Sequence, residues 1–259
     1  MTLPAPKHPL QGRVVLVTGG GAGLGQAICL ATAAAGARVV VTATRDNGAE
    51  TARQVEAMGG EALFVRTDVT RSAAVKAAID AALERYGQID AIVHNATARS
   101  SSGVTPIVDL TDEEWDDHLM VTLRGAYLLA HHGVGALKQS KGRYVLMTSS
   151  AGLEGSAARP AYSAVKGSIR GFTKSLALEW GPLGIAVTCI SPLATTPALE
   201  NAFKAQPDLE SRLAALSALG RVGNSLTDVA PVVSFLIGDD AGYITGQTIV
   251  VDGGRCTAL

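Results

Sequence analysis

Two hydrophobic patterns alternate along the whole chain. Seven short runs are continuously apolar and rich in Val and Ile, as expected for strands that are buried on both faces. These runs cover residues 13–18, 37–43, 62–66, 89–94, 143–148, 185–190 and 248–251. Longer stretches with helical character separate them, at residues 24–35, 48–58, 72–86, 111–137, 161–180, 198–219 and 226–237. The fourth of these begins with Thr-Asp-Glu-Glu, which resembles a capping box.

The regular alternation of strands and helices predicts one α/β domain. Chains of this kind form a doubly wound parallel sheet with helices on both faces and right-handed crossovers. We find no linker, low-complexity run or internal repeat, and so predict a single domain over residues 1–259, built on a seven-stranded sheet. The least regular stretch, residues 192–222, follows a strand end and is the predicted substrate loop.

Composition and charge argue against several classes of function. A net charge of −1 offers no electrostatic attraction to nucleic acid or to an anionic membrane surface. No apolar run reaches the ~18 residues that a membrane-spanning helix needs, and the N-terminal residues lack the apolar core of a signal peptide. The three cysteines have no CxxC or metal-ligand spacing, which is typical of buried or incidental thiols in a reducing cytosol. We therefore predict a cytoplasmic protein with no metal, nucleic-acid or membrane partner.

A glycine-rich loop joins the first predicted strand to the first predicted helix. Gly19, Gly23 and Gly25 follow the spacing GxxxGxG, and no lysine follows the last glycine, which excludes a P-loop. Glycines let the backbone turn tightly and approach a phosphate, which the N–H groups of the helix N-terminus then bind. The position after the first strand predicts a dinucleotide site, and a flexible turn that packs the helix tightly is the alternative.

Tyr162 and Lys166 lie four residues apart in a predicted helix, and Ser149 lies thirteen residues before the tyrosine. Side chains at i and i+4 stand on the same face of a helix. The lysine ammonium then favours the phenolate form of the tyrosine, which a proton-transferring phenol needs near neutral pH. The Ser149 hydroxyl would hold the substrate oxygen while the proton moves. Alone, the pair is weak evidence, because this spacing is common on ordinary helices.

Three further motifs give these residues a family context. Asp68-Val69 and Asn95-Ala96 follow the third and fourth strands, and Val-Asp-Gly-Gly closes the last strand at 251–254. In this order and spacing, the motifs resemble the short-chain dehydrogenase/reductase family over residues 12–254. Residues 42–48, Thr-Ala-Thr-Arg-Asp-Asn-Gly, are also similar to bacterial 3-oxoacyl-acyl-carrier-protein reductases.

The resemblance implies a Rossmann fold with strand order 3-2-1-4-5-6-7 and a homotetramer, or else a dimer. It implies reversible hydride transfer between NAD(P) and a small-molecule carbonyl or secondary alcohol. Tyr162 is the implied general acid in reduction and base in oxidation, and Lys166 holds the nicotinamide ribose. Ser149 orients the substrate, and Ser150 is ranked second. The implied cofactor contacts are Tyr162, Lys166, Gly19, Gly21, Gly23, Leu24, Gly25, Thr44, Arg45, Asp68, Val69, Asn95, Ala96, Pro192, Ala194 and Thr195.

Three positions depart from the family pattern. Thr122 stands where the family usually has an asparagine that helps to hold a water beside the lysine. Thr97 and Leu193 stand where it usually has glycines. Thr122 completes the predicted catalytic set, with its hydroxyl as the substitute in an altered proton relay. These departures keep an alternative open, which is a catalytically weak dinucleotide-binding or scaffold protein of the same fold.

The end of the second strand predicts which nicotinamide cofactor is used. NAD-binding proteins usually place there a carboxylate that binds the ribose 2′-hydroxyl, whereas this chain has Ala43, followed by Thr44 and Arg45. A guanidinium suits the additional phosphate of NADP. NADP is therefore favoured over NAD, although Ala22 occupies the loop position where NADP-using relatives often carry arginine.

Arg159 and the histidines receive structural interpretations from the sequence. Arg159 directly precedes the predicted helix of Tyr162, and packing is favoured there over contact with a substrate anion or a neighbouring subunit. His94 ends an apolar strand and is interpreted as a satisfied buried or edge histidine. His118 and the pair at 131–132 have no carboxylates at metal-ligand spacing.

Overall fold

The computed structural model describes residues 9–257, apart from the side chains of Ser102 and Ala198. The ends of the predicted domain, residues 1–8 and 258–259, lie outside this range.

A parallel sheet forms the centre of the described chain. Its strands are β1 (Val14–Thr18), β2 (Arg38–Ala43), β3 (Glu61–Arg66), β4 (Ala91–His94), β5 (Arg143–Met147), β6 (Ala186–Pro192) and β9 (Thr248–Val251). They lie in the order β3-β2-β1-β4-β5-β6-β9, and every neighbouring pair is parallel. Two short strands, β7 (Ala194–Thr195) and β8 (Gly223–Asn224), pair separately. The predicted single-domain, doubly wound seven-stranded sheet is confirmed.

The sheet is covered on both faces because its strands β1 to β6 send side chains into two hydrophobic clusters, whereas the edge strand β9 contributes to one of them. In β1, Val14 and Leu16 enter one cluster, while Val15 and Val17 enter the other. All residues of β1 are buried. This two-sided burial explains why the strands are continuous apolar runs in the sequence rather than alternating ones.

Helices cover both faces of the sheet. α3 (Ser72–Tyr86), α5 (Gly125–Ser140) and α7 (Pro160–Trp180) pack on one cluster, and α1 (Gly23–Ala34), α2 (Asn47–Ala57) and α10 (Ala230–Ile237) pack on the other. The remaining helices are α4 (Asp112–His118), α6 (Ala151–Glu154), α8 (Pro197–Ala205) and α9 (Leu209–Leu216).

The long helix predicted over 111–137 is uninterrupted from Asp112 to Ser140, but it contains a π-helical turn that the sequence did not indicate. It begins as expected, with Thr111 Oγ1 accepting from the backbone N–H of Glu114 at 3.2 Å and the Glu114 carboxylate accepting from Thr111 N at 3.3 Å. A π-helical turn over Leu119–Arg124 then separates α4 from α5. The Thr122 carbonyl in this turn accepts a hydrogen bond from His94 Nε2 at 2.9 Å. Such π-turns frequently occur where a helix borders a functional site.

The helical segment predicted over 198–219 is divided in two and ends at Leu216. The chain forms α8 and α9, and it leaves the helical conformation at Gln206, whose φ is −135°. The next residue is Pro207, and a proline disfavours the helical conformation of the residue before it. Ala194 in β7 pairs with Gly223 in β8, so the two strands join the ends of this helical segment.

Candidate active site

The glycine-rich and polar segments of the sequence meet at the carboxyl edge of the sheet. β1 is the strand at which the order reverses, since β2 lies on one side of it and β4 on the other. In doubly wound sheets, ligands bind at this switch point, outside the carboxyl ends of the strands. The glycine loop follows β1, Asn95-Ala96 follows β4, Ser149 lies just beyond β5, and Pro192 ends β6.

The glycine loop is shaped by close backbone contacts. Gly19 and Gly23 have positive φ values of 66° and 55°, which favour glycine. A Cβ on Gly25 would lie 2.2 Å from the carbonyl oxygen of Gly19 and 2.5 Å from Asn95 Nδ2. Asn95 Nδ2 donates to the carbonyls of Thr18 at 3.2 Å and of Gly19 at 3.3 Å. Only glycine therefore fits at position 25 without moving the loop.

The N-terminus of α1 is open toward this loop. No side chain caps it, and its N-cap residue, Ala22, has nothing to offer the first N–H groups of the helix. Uncapped N–H groups at a helix N-terminus form an anion-binding site. The loop and helix together therefore fit the pyrophosphate of a dinucleotide.

His94 links the glycine loop to the π-helical turn. The Thr18 hydroxyl accepts from the backbone N–H groups of Asn95 and Ala96, each at 3.1 Å, so its own proton points to His94 Nδ1 at 2.9 Å. His94 Nε2 then carries the ring proton and donates it to the Thr122 carbonyl. Burial lowers the pKa of His94 to about 4, so the ring is neutral near pH 7. The predicted role of His94 as a satisfied buried histidine agrees with these bonds.

His94 is expected to make the fold sensitive to mild acid. In the unfolded chain it takes up a proton as the pH falls through about 6.5, whereas in the folded protein it stays neutral to about 4. The unfolded state thus binds more protons in this window, and stability falls there with decreasing pH, by up to about 1.4 kcal/mol per pH unit. Urea unfolding of wild type and His94→Asn at several pH values measures this loss. If wild type and His94→Asn lost equal free energy of unfolding as the pH falls, His94 would not be the source of the acid sensitivity.

Tyr162 and Lys166 share one face of α7, which begins with Pro160 as its first residue. Lys166 is 4% exposed, and its ammonium donates to the carbonyl of Met147 at 2.8 Å. Its Nζ lies 5.6 Å from the centroid of the Tyr162 ring. Burial is the main cause that lowers the pKa of Lys166. Within residues 9–257 it forms no ion pair with a carboxylate, so its charge is available to the phenol beside it.

The two serines after β5 differ in their hydrogen bonds. Ser149 Oγ accepts from the backbone N–H of Ala151 at 3.3 Å and keeps its own proton to donate. Ser150 Oγ instead accepts from the Arg255 guanidinium at 2.8 Å. Both hydroxyls thus keep a proton to donate, and Ser149 stays ranked first because of its position thirteen residues before Tyr162.

Thr122 lies in the π-helical turn, which packs against α7. It is 1% exposed, and its Oγ1 is buried with no hydrogen-bond partner among the described residues. A buried hydroxyl usually has a partner or an ordered water. The predicted substitute in the proton relay is therefore unpaired and adjacent to the helix that carries Lys166.

The predicted cofactor residues near β1, β2 and β3 vary in exposure. Thr44 and Arg45 are exposed just beyond β2, whereas Val69 is buried in the core. Asp68 Oδ1 accepts from the backbone and the hydroxyl of Thr70, at 2.9 and 2.7 Å. A second group lies at the glycine loop: Leu24 packs partly buried against the core, and a Cβ on Gly21 would lie 2.5 Å from Asn47 Oδ1.

The predicted residues at the end of β6 lead into a segment that contacts the glycine loop. Pro192 ends β6, and Ala194 and Thr195 form β7, where the Thr195 carbonyl accepts from the Ser225 hydroxyl at 2.6 Å. A Cβ on Gly23 would lie 3.2 Å from Pro197 Cδ. The start of α8 thus contacts the glycine loop, which no local sequence signal had indicated.

Sequence reasoning missed two side chains beside Tyr162. The Arg159 guanidinium lies over its ring, with Cζ 4.3 Å from the centroid, and the His118 ring lies edge-on with its centroid at 6.1 Å. The position of Arg159 three residues before Tyr162 was the available signal for the arginine. His118 had none, because it comes from a different helix.

Within residues 9–257, no three His, Cys, Asp or Glu side chains are grouped as a metal site requires. None of the helices in this range has the length and hydropathy of a membrane-spanning segment.

Comparison with known proteins places this chain in a known class of oxidoreductase. The sequence model of a family described as enoyl-(acyl carrier protein) reductase matches residues 19–255. The chain belongs to the short-chain dehydrogenase/reductase family. Its resemblance to that family, seen in the motifs, is confirmed.

Individual relatives match over almost the whole chain. The 3-oxoacyl-acyl-carrier-protein reductase FabG of Escherichia coli is 32% identical over 248 residues, which cover 94% of this chain and 97% of the relative. Levodione reductase of Leifsonia aquatica is 33% identical over 264 residues, covering 98% of each chain. A solved structure described as a short-chain alcohol dehydrogenase from Sinorhizobium meliloti has a TM-score of 0.90 at 34% identity, covering 98% of this chain and 100% of that one.

Proposed function

We propose that this protein catalyses reversible hydride transfer between NAD(P) and a small-molecule carbonyl or secondary alcohol. The observation that carries the proposal is the buried, carboxylate-free ammonium of Lys166 next to the Tyr162 ring at the carboxyl edge of the sheet. When bound, the nicotinamide supplies or accepts the hydride. The glycine loop and the open N-terminus of α1 support a dinucleotide in the same cleft.

The side chains of the cleft divide the proton chemistry among them. In reduction, Tyr162 donates its phenolic proton to the carbonyl oxygen, and in oxidation the phenolate takes the proton back. Lys166 stabilises the phenolate by its charge, and the Ser149 hydroxyl holds the substrate oxygen. Thr122, with its unpaired hydroxyl behind α7, belongs to the path by which Tyr162 exchanges its proton with solvent. The segment 192–222, with α8 and α9, closes over the substrate side of the cleft.

The proposal is tested by a panel of carbonyl compounds and alcohols with both cofactors. Turnover is followed by the absorbance of the reduced nicotinamide. If the protein bound neither NADPH nor NADH, the proposal would be overturned. The same result would overturn the alternative of a catalytically weak dinucleotide-binding protein.

We propose NADP as the preferred cofactor. The end of β2 offers no carboxylate that would repel the 2′-phosphate, because Ala43 is apolar and Asp46 is paired with Arg66. Arg45 is exposed and forms no ion pair within residues 9–257, so its guanidinium is available to a phosphate.

Arg45→Gln is expected to raise KM for NADPH about tenfold and to leave KM for NADH nearly unchanged, because only NADPH loses a charge-assisted hydrogen bond. Steady-state kinetics with each cofactor measures the difference. Arg71→Gln, which removes another exposed arginine, is the matched control. Equal changes for the two cofactors would contradict a role of Arg45 in selectivity.

We also propose a homotetramer, with a dimer as the alternative. Large apolar side chains are exposed on two helices of the same face, with Tyr127 on α5 at 50% and Leu178 on α7 at 82%. Exposed apolar groups of this size are typical of association surfaces. Light scattering coupled to gel filtration measures the state. The cytoplasmic location stays a prediction.

A further inference from the structure

A small pocket adjoins the Tyr162 ring. The cavity itself has a volume of only about 10 Å³, roughly the room that one water molecule needs, so a larger group enters only if the lining side chains move. Its wall combines a few apolar atoms with several polar groups, contributed by Ser100, Gly103, Thr105, Leu110, Glu114, His118, Arg159, Pro160, Ala161 and Tyr162. A substrate whose carbonyl reaches the Tyr162 hydroxyl extends into this pocket only if it is small.

Arg159 brings an uncompensated positive charge to the pocket. One guanidinium nitrogen donates to the Ser101 carbonyl, while Nε is buried and has no partner. No carboxylate in residues 9–257 forms an ion pair with Arg159. A partly buried guanidinium with free donors is suited to a planar carboxylate, which it binds through two parallel hydrogen bonds.

His118 adds a second unpaired polar atom to the same pocket. It is 4% exposed, its Nε2 lies 3.2 Å from the Ser100 hydroxyl, and its Nδ1 is buried without a partner. Burial is the main cause that lowers the pKa of His118, so the ring is neutral near pH 7. When the Ser100 hydroxyl donates to Nε2, the ring proton sits on Nδ1, which becomes a free donor beside Tyr162. Buried polar atoms without partners are rare in native proteins, and two of them, Arg159 Nε and His118 Nδ1, belong to residues that line this pocket.

The acidic residues near the pocket do not compensate Arg159. Glu114 lines the pocket, but its carboxylate accepts from the backbone N–H of Thr111 in the capping box, and it forms no ion pair with the arginine. Asp117 is the other acid whose charge acts on His118. Arg159 thus has no ion-pair partner within residues 9–257, while the Glu114 carboxylate keeps its negative charge in the same pocket.

We infer that Arg159, assisted by His118, binds a carboxylate of the substrate. The substrate is then a short-chain oxo acid in reduction and the corresponding hydroxy acid in oxidation. This inference rests on the proposed function. The carbonyl carbon takes the hydride from the reduced nicotinamide, and the carbonyl oxygen takes the proton from Tyr162. The carboxylate is unchanged and serves only as the handle. The guanidinium carbon lies 4.3 Å from the centroid of the Tyr162 ring. Only a few carbon atoms therefore separate the substrate carboxylate from the carbonyl that reacts at the Tyr162 hydroxyl.

The test compares oxo acids with their own methyl esters, which keep the carbonyl and lose the charge. The probes are 2-oxobutanoate, 3-oxobutanoate and 4-oxopentanoate, each with its ester, for wild type, Arg159→Gln and Arg159→Lys. At least one acid should exceed its ester about tenfold in kcat/KM. Arg159→Gln should lower kcat/KM for that acid about ten- to a hundredfold, mainly through KM, because a charged hydrogen bond is lost. The ratio of kcat/KM for the acid to that for its ester should fall in Arg159→Gln, because any effect on Tyr162 itself is shared by both substrates, and Arg159→Lys should recover part of this ratio.

Arg99→Gln is the matched control, since it removes an exposed arginine from the segment that includes Ser100. Esters that react as well as the acids in wild type would overturn the inference, as would equal losses in Arg159→Gln and Arg99→Gln. Binding separates this failure from a failure of the proposed function. If no carbonyl compound is turned over, butanoate should still raise Tm of wild type and of Arg99→Gln, but not of Arg159→Gln. Inorganic phosphate in place of butanoate shows whether any anion suffices, and an equal Tm increase with phosphate would overturn the carboxylate assignment.

Discussion

Tyr162→Phe is expected to lower kcat/KM by about 10²- to 10⁴-fold with either nicotinamide cofactor, because it removes the group that exchanges a proton with the substrate oxygen. The ring itself, with the Arg159 guanidinium over its face and His118 at its edge, loses only one oxygen atom. Dinucleotide affinity and Tm should therefore stay close to the wild-type values. The measurement pairs steady-state kinetics with a fluorescence titration of NADPH.

Tyr243→Phe is the matched control, because Tyr243 is fully exposed and loses the same atom. The proposed mechanism fails if Tyr162→Phe keeps full activity or if the two variants lose activity equally. A wild type that binds NADPH but reduces no carbonyl in the panel would support the alternative of a dinucleotide-binding protein without catalysis. The two variants therefore separate the loss of the acid from a general loss of the fold.

The central strands were predictable because they are buried on both faces. Val14 to Val17 enter two different clusters, and a run of apolar residues without polar interruption is the sequence signature of this environment. The start of α4 was also predictable, since a capping box acts within four residues. The π-helical turn was not, because the carbonyl of Thr122 is bound by His94, which comes from a strand and not from the helix.

The motif residues of the site were found for a similar reason. The glycine loop, Asn95 and Ser149 follow strands that end at one edge of the sheet, so topology alone brings them together. The substrate pocket depends on contacts between distant segments. Arg159 reaches the carbonyl of Ser101, and Arg255 reaches the hydroxyl of Ser150. No periodicity or local motif encodes such contacts, and packing was therefore the interpretation given to Arg159 from the sequence.

Gly25→Ala is expected to destabilise the protein by about 1–3 kcal/mol and to weaken NADPH binding by at least about tenfold. The added Cβ would lie 2.2 Å from the Gly19 carbonyl oxygen and 2.5 Å from Asn95 Nδ2, so the loop and α1 have to separate. The two hydrogen bonds that Asn95 Nδ2 makes to the loop carbonyls would then break, and the N–H groups proposed to bind the pyrophosphate would move with them. Thermal unfolding and NADPH titration measure the two effects.

Gly135→Ala supplies the opposite result from the same chemical change. Gly135 lies inside α5, and a Cβ there would meet no atom within 4 Å. Alanine loses less backbone freedom than glycine on entering a helix, so this variant should be more stable by about 0.5–1 kcal/mol and bind NADPH as wild type does. If the two variants changed stability and NADPH affinity in the same way, the effect of Gly25→Ala would not come from its contacts in the glycine loop. Opposite signs show that position 25 requires glycine because of the close packing between loop and helix that forms the dinucleotide site.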